Sequence, residues 1–376
     1  MGKLHMVDLM GQYNKIQKEV DEAVINVIRS SAYINGPEVK SFQSELEAYL
    51  GVNHVIPCAN GTDALQIAMM ALGLKPGDEV ITACFTYVAT AEVIALLQLK
   101  PILVDVDPDT FDIDIDALEA AITSKTKAIV PVHLFGQCAN MEAIMQIADK
   151  HNLYVIEDTA QAIGADYTFS DGTVKKAGTI GTIGCTSFFP SKNLGCFGDG
   201  GAMFCNDPEL AKKIKITANH GQSVQYVHDE VGVNSRLDSI QAAVLRIKLR
   251  HLDSYNEARL EAANYYTEQL SDYSELITPA INTKSTHVFH QYTLKCNGIK
   301  RDELRSFLQA RDIPCMIYYP IPLHHQKAYK QENSTDDSYA VTIDLCKSVI
   351  SLPIHTELTR EAQDIVIKGI KDFLKN

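Results

Sequence analysis

Short apolar runs alternate with longer segments of helical periodicity between residues 50 and 206. The short runs are rich in β-branched residues and bounded by turn-forming residues, which is typical of buried strands. The longer segments carry apolar side chains three and four positions apart, which predicts amphipathic helices. We expect strands at 55–58, 79–83, 101–106, 128–133, 154–158, 186–189 and 202–205, and helices at 62–72, 86–97, 115–122 and 141–151. This alternation predicts a mostly parallel sheet covered by helices.

The second part of the chain has a different pattern. Helical spacing predicts helices at 239–252, 254–270, 301–310 and 360–374, and strand-like runs occur at 289–295 and 315–319. We therefore expect a large α/β domain with a seven-stranded sheet over residues 1–252. A linker helix and a smaller α+β domain would follow over residues 253–376, and the N-terminal segment is a candidate to pack on that smaller domain.

Composition and charge exclude several classes of protein. The 376 residues are 46% hydrophobic and 22% charged, which is typical of a folded globular chain. The 34 Lys and Arg against 47 Asp and Glu give a net charge of −13, which disfavours binding to nucleic acid. Nine scattered cysteines without a Cys-x-x-Cys pair suggest neither disulfides nor a zinc site. With no long apolar run either, we expect a cytoplasmic protein without a membrane segment or a metal.

The strand predicted at 154–158 ends in two acids, Glu157 and Asp158, after an apolar run. Open α/β folds bind ligands at the carboxyl edge of the sheet, so Asp158 is a candidate site residue. The alternative is that Asp158 caps the helix that follows.

Two other predicted strands adjoin small and hydroxylated residues. Gly61 and Thr62 stand where a strand enters a helix, and Ser187 opens a run rich in Ser, Pro and Gly. Gly61 permits close approach of the backbone, and Thr62 offers a hydroxyl and a helix-start amide to a phosphate. An ordinary helix cap is the competing interpretation.

Lys192 lies in the same Ser-, Pro- and Gly-rich run rather than on a charged helical face. Burial there would lower the pKa of its amine below the reference value of about 10.4 and free the amine for a Schiff base. A solvated loop lysine is the ordinary alternative. Together, however, a phosphate cup, a lysine and an acid supply what pyridoxal phosphate requires: a phosphate anchor, a Schiff-base partner and a counter-charge for the pyridinium nitrogen.

At these residues the sequence resembles the DegT/StrS-type sugar-nucleotide aminotransferases, which are pyridoxal-phosphate enzymes of fold type I. The resemblance covers nearly the whole chain. Its motifs are YINGPEV (33–39), ANGTDAL (59–65), PGDEVIT (76–82), FTYVATA (85–91), VDVDP (104–108), HLFGQ (133–137), IEDTAQAIGA (156–165), SFFPSKNLG (187–195), GDGGA (198–202) and GVNSRLDSIQAA (232–243).

By position, the resemblance implies that Lys192 is the internal-aldimine lysine and proton shuttle and that Asp158 is the partner of the pyridinium nitrogen. Some family members carry a histidine in place of this lysine and act as sugar dehydratases, so Lys192 favours transamination. The other implied cofactor contacts are Tyr87 stacking on the ring, Gln161 donating to the ring oxygen, Gly61, Thr62 and Ser187 holding the phosphate, and Asn234 reaching across from the second subunit of a homodimer.

The resemblance also implies a ping-pong reaction in which glutamate converts the cofactor to pyridoxamine phosphate, which then aminates a nucleotide-linked keto-sugar. The chain looks closest to the branch that aminates C3 of UDP-2-acetamido-2-deoxy-3-keto-glucuronate for surface polysaccharides such as lipopolysaccharide. Arg236 would bind the carboxylate of the sugar or of glutamate, and its alternative is a structural ion pair. His324 is a further candidate contact for the sugar or diphosphate.

One departure weakens the assignment of the sugar. Where that branch has His-Tyr before Pro-Ile-Pro, this chain has Tyr318 and Tyr319, which we expect to contact the substrate. A 4-keto-6-deoxy sugar nucleotide is therefore an alternative substrate. A non-catalytic regulator that binds pyridoxal phosphate is the alternative of another class, and the intact Lys192 argues against it.

Overall fold

The computed structural model describes residues 4–330 and 335–375; the ends of the predicted domain ranges, at 1–3 and 376, and residues 331–334 lie outside it. The eight predicted helices begin and end within three residues of their predicted positions, whereas the helices at 9–30, 37–50, 208–217 and 340–348 were not predicted. The helices are α1 Leu9–Ser30, α2 Pro37–Leu50, α3 Gly61–Ala71, α4 Ala89–Leu96, α5 Ile115–Ala120, α6 Met141–His151, α7 Pro208–Thr217, α8 Ser239–Leu249, α9 Leu252–Leu270, α10 Arg301–Gln309, α11 Ala340–Ser348 and α12 Arg360–Leu374.

The strands form one large sheet and several small ones. They are β1 His54–Cys58, β2 Glu79–Ala83, β3 Lys100–Val104, β4 Thr126–Val130, β5 Tyr154–Asp158, β6 Asp166–Thr168, β7 Val174–Lys176, β8 Ile183–Ser187, β9 Gly201–Cys205, β10 Gln222–Val224, β11 Val227–His228, β12 Leu276–Ile277, β13 Tyr292–Cys296 and β14 Val349–Leu352. Within the described residues the large sheet has seven strands in the order β1-β9-β8-β5-β4-β2-β3.

The large sheet is mostly parallel, as the alternation of strands and helices predicts. β8, β5, β4, β2 and β3 run parallel to one another, and β9 runs antiparallel to both β8 and β1. Helices cover both faces, and the strands are buried on both sides apart from some strand ends, so their side chains form the cores of the large domain. Because β5 and β8 are parallel neighbours, their carboxyl ends meet at one edge of the sheet, next to the start of α3.

Side-chain caps explain where the helices around this edge begin. The carboxamide of Asn60 accepts a hydrogen bond from the backbone amide of Asp63 at 2.8 Å and so starts α3. The carboxylate of Asp114 accepts from the amide of Ala117 at 2.6 Å and starts α5 in the same way. Because α3 begins directly after β1, its N-terminus is fixed at the sheet edge.

A second, three-stranded sheet of β12, β13 and β14 packs with α9, α10 and α12 around its own core. The N-terminal segment approaches this part of the chain: the amide of Ile354 donates to the carbonyl of Met6 at 3.3 Å, and Lys15 pairs with Glu357 at 2.5 Å. The predicted division at residues 252 and 253, between α8 and α9, stays a prediction. Among the described residues, no helix is both long and apolar enough to cross a membrane.

One predicted strand is wrong. Residues 315–319 form only a single β-bridge, between Met316 and Ser351, and otherwise run as an irregular segment. A second difference concerns β8, which begins at Ile183 rather than at residue 186. Gly184 weakens the strand pattern there, and it is needed because a Cβ at this position would lie 2.2 Å from the ring of Phe204.

Candidate active site

Asp158 is the last residue of β5 and is almost completely buried. Its carboxylate accepts hydrogen bonds from the hydroxyl of Thr90 on α4 at 3.1 Å and from the backbone amide of Ala160 at 3.1 Å. Burial raises the pKa of Asp158, and the amide of Ala160 and the positive charge of Lys192 oppose that rise. The site therefore holds a carboxylate that has lost most of its hydration, and a further cation beside it would stabilise the ionised form.

Lys192 supplies an amine close to this carboxylate. Loss of hydration lowers the pKa of Lys192 to about 8, and the attraction of Asp158 works in the opposite direction. Within residues 4–330 and 335–375, its Nζ has no hydrogen-bond partner. An amine with this pKa is about half neutral at pH 8, so it can act as a nucleophile and can exchange protons near neutral pH.

The loop that carries Lys192 is held from both sides. The side-chain amide of Asn193 donates to Asn256 at 2.7 Å and to the carbonyl of Val288 at 2.9 Å. On the other side, the ammonium of Lys248 donates to the carbonyl of Gly195 at 2.6 Å. These bonds come from α8, α9 and the segment before β13, and they fix the backbone around the reactive amine.

The start of α3 lies against Ser187 at the end of β8. The amides of Gly61 and Thr62 lie in the first turn of α3, and among the described residues they have no hydrogen-bond acceptor. A Cβ at position 61 would lie 2.7 Å from the Cβ of Ser187, so only glycine lets α3 approach the Ser187 hydroxyl this closely. Free amides at a helix N-terminus beside a hydroxyl are suited to a phosphate.

Aromatic side chains also lie near Asp158. Tyr87 is 58% exposed, and its ring centroid lies 6.3 Å from that of Tyr319. The hydroxyl of Tyr319 accepts a hydrogen bond of 3.1 Å from Nε2 of Gln161, whose Oε1 accepts from the amide of Phe135 at 2.8 Å. The structure thus brings Tyr87, Gln161 and Tyr319 together beyond the carboxyl end of β5. Tyr318 is partly buried next to Tyr319.

Sequence reasoning missed the pair formed by Glu157 and His133. These two side chains are completely buried, with 2.9 Å between Nε2 of His133 and Oε2 of Glu157. The backbone amides of Gly178, Ile180 and Gly181 also donate to the Glu157 carboxylate. A glycine-rich run beside a strand-end acid was the available signal, since glycine amides can approach a carboxylate closely. The pair anchors the end of β5 that presents Asp158.

Asn234 and Arg236 lie elsewhere on the chain. Asn234 is exposed and pairs through its backbone with Asn219. Arg236 lines a cavity of about 520 Å³ that also has Lys40, Lys212 and Lys215 on its walls. Within the part of the chain that the structure describes, no hydrogen bond or ion pair joins either side chain to Lys192 or Asp158.

His324 is 2% exposed, so the structure places it inside the protein rather than on an open wall. Its Nδ1 lies 3.1 Å from the sulfur of Cys84, its Nε2 lies 3.4 Å from Asp336, and its ring stacks on Tyr339. Both ring nitrogens already have protein neighbours. Contact of His324 with a sugar or diphosphate stays a prediction.

The residues of this site fit pyridoxal phosphate. The pKa of the Lys192 amine is about 8, a cationic partner would stabilise the ionised form of the buried Asp158 carboxylate, and the helix start at Gly61 has amides free for a phosphate. These three features, at one edge of a mostly parallel sheet, define a pyridoxal-phosphate enzyme.

Comparisons with known proteins agree with this class and narrow it. The model of the DegT/DnrJ/EryC1/StrS aminotransferase family matches residues 14–371. The chain is 45% identical over 99% of its length to a "Pleiotropic regulatory protein" of Geobacillus stearothermophilus, covering 98% of that protein. It is also 45% identical over 98% of its length to a UDP-2-acetamido-2-deoxy-3-oxo-D-glucuronate aminotransferase of Pseudomonas aeruginosa, covering 99% of it.

A solved structure supports the same assignment. The structure of NtdA from Bacillus subtilis with bound cofactor PMP superposes with a TM-score of 0.91 at 31% identity, covering all of this chain and 86% of that one. The chain therefore belongs to the DegT/DnrJ/EryC1/StrS aminotransferase family. It is an aminotransferase that uses pyridoxal phosphate, and the expected fold type I is confirmed.

Proposed function

We propose that this aminotransferase transfers an amino group from glutamate to C3 of UDP-2-acetamido-2-deoxy-3-keto-glucuronate, a step in the synthesis of surface polysaccharides such as lipopolysaccharide. The proposal rests on one observation: Lys192, Asp158 and the start of α3 lie together in a chain that is 45% identical to an enzyme named for this sugar. We place the reaction in the cytoplasm, where reducing conditions suit nine cysteines that are all free and buried.

When bound, pyridoxal phosphate supplies an aldehyde that takes up the amino group and a ring that delocalises negative charge. The amine of Lys192 is the group that can move a proton to and from the reacting carbon, because its pKa of about 8 lies close to neutral pH. Asp158 would hold the proton of the ring nitrogen. The amides of Gly61 and Thr62 with the hydroxyl of Ser187 would hold the phosphate.

Tyr87 and Gln161 would orient the ring. Tyr87 is exposed enough to stack on it, and Gln161 is fixed by Phe135 so that its amide group points toward Tyr319 and the open side of the site. Tyr318 and Tyr319 would contact the sugar. A phenol at position 318 is a weaker base than the histidine of the resembled branch, so it would bind a sugar hydroxyl without exchanging protons near pH 7.

Arg236 is proposed to bind the carboxylate of the uronate or of glutamate. The cavity that it lines has three lysine side chains and, among its described lining residues, no Asp or Glu, although the whole chain carries a net charge of −13. Such a concentration of positive charge favours an anionic ligand. Arginine can also bind a carboxylate through two parallel hydrogen bonds.

We further propose a homodimer in which Asn234 and Arg236 of one protomer complete the site of its partner. Both side chains are far along the chain from Lys192 and make no described contact with it, and Asn234 is exposed. Exposed apolar side chains along α1, such as the 66% exposed Met10, lie with Phe197 around a cavity of about 530 Å³ and are suited to burial against a second copy.

The test compares two keto-sugars with one enzyme. Protein loaded with glutamate is mixed with the 3-keto uronate nucleotide or with a 4-keto-6-deoxy sugar nucleotide, and the amino-sugar product is measured by mass spectrometry. We expect product from the uronate and little from the deoxy sugar, and no product with K192A. Turnover of the 4-keto sugar alone would support the alternative substrate, and absence of any turnover would support the non-catalytic regulator.

A further inference from the structure

Adjacent histidines and an aspartate form a compact cluster outside the site described above. The side chains of His324, His325 and Asp336 each offer one ligand atom, and the three atoms lie within 4.8 Å of one another. Among residues 4–330 and 335–375, no other group of three His, Cys, Asp or Glu side chains meets this criterion. This cluster differs from the sequence-based expectation of no metal, which rested on the absence of a Cys-x-x-Cys pair.

The distances in the cluster are close to those of a zinc centre. Tetrahedral zinc with ligand bonds of about 2.0–2.1 Å places neighbouring donor atoms about 3.3 Å apart. Nε2 of His324 lies 3.4 Å from Oδ1 of Asp336, and Nε2 of His325 lies 2.7 Å from the same oxygen. A rotation of the exposed His325 ring that opens the second distance by about 0.6 Å would bring it to the spacing of tetrahedral ligands.

His324 is already oriented as a metal ligand would be. Its ring stacks on Tyr339 with a centroid distance of 4.1 Å, and its Nδ1 lies 3.1 Å from the sulfur of Cys84. Metal-bound imidazoles usually donate their second N–H to a neighbouring acceptor, which fixes the tautomer and directs the other nitrogen to the metal. Here the Cys84 sulfur can accept from Nδ1, and Nε2 is then free to bind a cation.

Solvent can reach the cluster from its other side. The side chains of His325 and Asp336 are 43% and 67% exposed, whereas that of His324 is 2% exposed. Three protein ligands on one side and solvent on the other leave a fourth position for water, as in open zinc sites.

We propose that His324, His325 and Asp336 bind one divalent transition-metal ion of the zinc type, with water as the fourth ligand. The ion fastens the segment after Tyr319 to the turn that precedes α11. It lies outside the cofactor site, to which it is connected by the backbone between Tyr319 and His324 and by the contact of His324 with Cys84.

The experiment uses holoenzyme that has been treated with a chelator and dialysed. Native mass spectrometry and calorimetry with Zn²⁺ alone are expected to give one ion per chain, and Co²⁺ is expected to give visible d–d absorption bands. H325A and D336N change exposed side chains and should fold normally. Each should weaken Zn²⁺ binding by about tenfold or more and abolish the Co²⁺ bands.

The matched control is D337N, which alters the neighbouring exposed acid on the same turn and should leave Zn²⁺ binding unchanged. Competition from thiols is small because all nine cysteines are buried. The proposal would be overturned if the protein did not bind one Zn²⁺ ion per chain. It would also be overturned if H325A and D336N bound Zn²⁺ as strongly as D337N.

Discussion

The ammonium of Lys248 on α8 donates a hydrogen bond of 2.6 Å to the carbonyl of Gly195, three residues after Lys192, the proposed cofactor-binding lysine. The Lys248 side chain is 1% exposed, and burial lowers its pKa to about 8. A charged group thus lies inside the protein in order to hold the active-site loop. Its removal should change how the stability of the protein depends on pH.

The first prediction concerns K248M. Between pH 8 and 10.5 the unfolded chain holds the Lys248 proton and the folded chain does not, so the stability of the natural protein rises with pH in this window. The methionine variant lacks this rise. The free energy of unfolding of K248M minus that of the natural protein should therefore fall by up to about 3 kcal/mol from pH 8 to pH 10.5. Urea unfolding at each pH measures this difference. K213M, on the exposed face of α7, is the control, and equal pH dependence of K248M and natural protein would contradict the prediction.

The second prediction concerns the capture of pyridoxal phosphate by the apoenzyme. The neutral amine of Lys192 is the nucleophile, and its pKa of about 8 means that the rate should reach half its maximum near pH 8 and then level off. Stopped-flow absorbance measures the rate. A short lysine peptide, titrating near 10.4, is the control, and its rate should continue to rise. A rate for the apoenzyme that rises through pH 10 like that of the peptide would contradict the prediction.

The third prediction concerns the hydrogen bond from Thr90 to Asp158. T90V removes a donor that favours the ionised carboxylate, so the pKa of Asp158 should rise and the acid limb of the pH–rate profile should move to higher pH. T86V is the matched control because the buried Thr86 hydroxyl has no hydrogen-bond partner among the described residues. An acid limb that moves equally in both variants would contradict the assigned role.

The fourth prediction concerns D158N at the same position. The asparagine keeps the shape of the side chain but removes the counter-charge of the ring nitrogen, so the cofactor should stay bound while turnover becomes much slower. Absorbance of the bound cofactor and steady-state rates measure the two effects separately. Near-normal rates would mean that the nitrogen needs no counter-charge in this enzyme.

The strongly periodic elements of the fold could be predicted from the sequence. The strands at 79–83 and 154–158 and the helix at 141–151 have the predicted bounds. The apolar run at 315–319 is not a strand, because it serves as the irregular connection that carries Tyr318 and Tyr319 and pairs only at Met316. Burial of a short apolar run does not distinguish a strand from a buried loop.

The candidate site also has features that could be predicted from the sequence and features that could not. Lys192 and Asp158 could be proposed because a lysine in a glycine-rich run and an acid at a strand end are visible locally. The contacts that hold them could not: Thr90 lies 68 residues from Asp158 and Lys248 lies 53 residues from Gly195, so only the fold brings them together. His133 pairs with Glu157 for the same reason.

The central claim is that Lys192 is the amine that binds the cofactor. The most direct measurement is borohydride reduction of the holoenzyme, followed by digestion and mass spectrometry of the labelled peptide. We predict a single pyridoxyl phosphate label on Lys192, and for K192A a folded protein without label, without yellow colour and without transfer activity. A label on another residue, no label at all, or retained turnover in K192A would contradict the account.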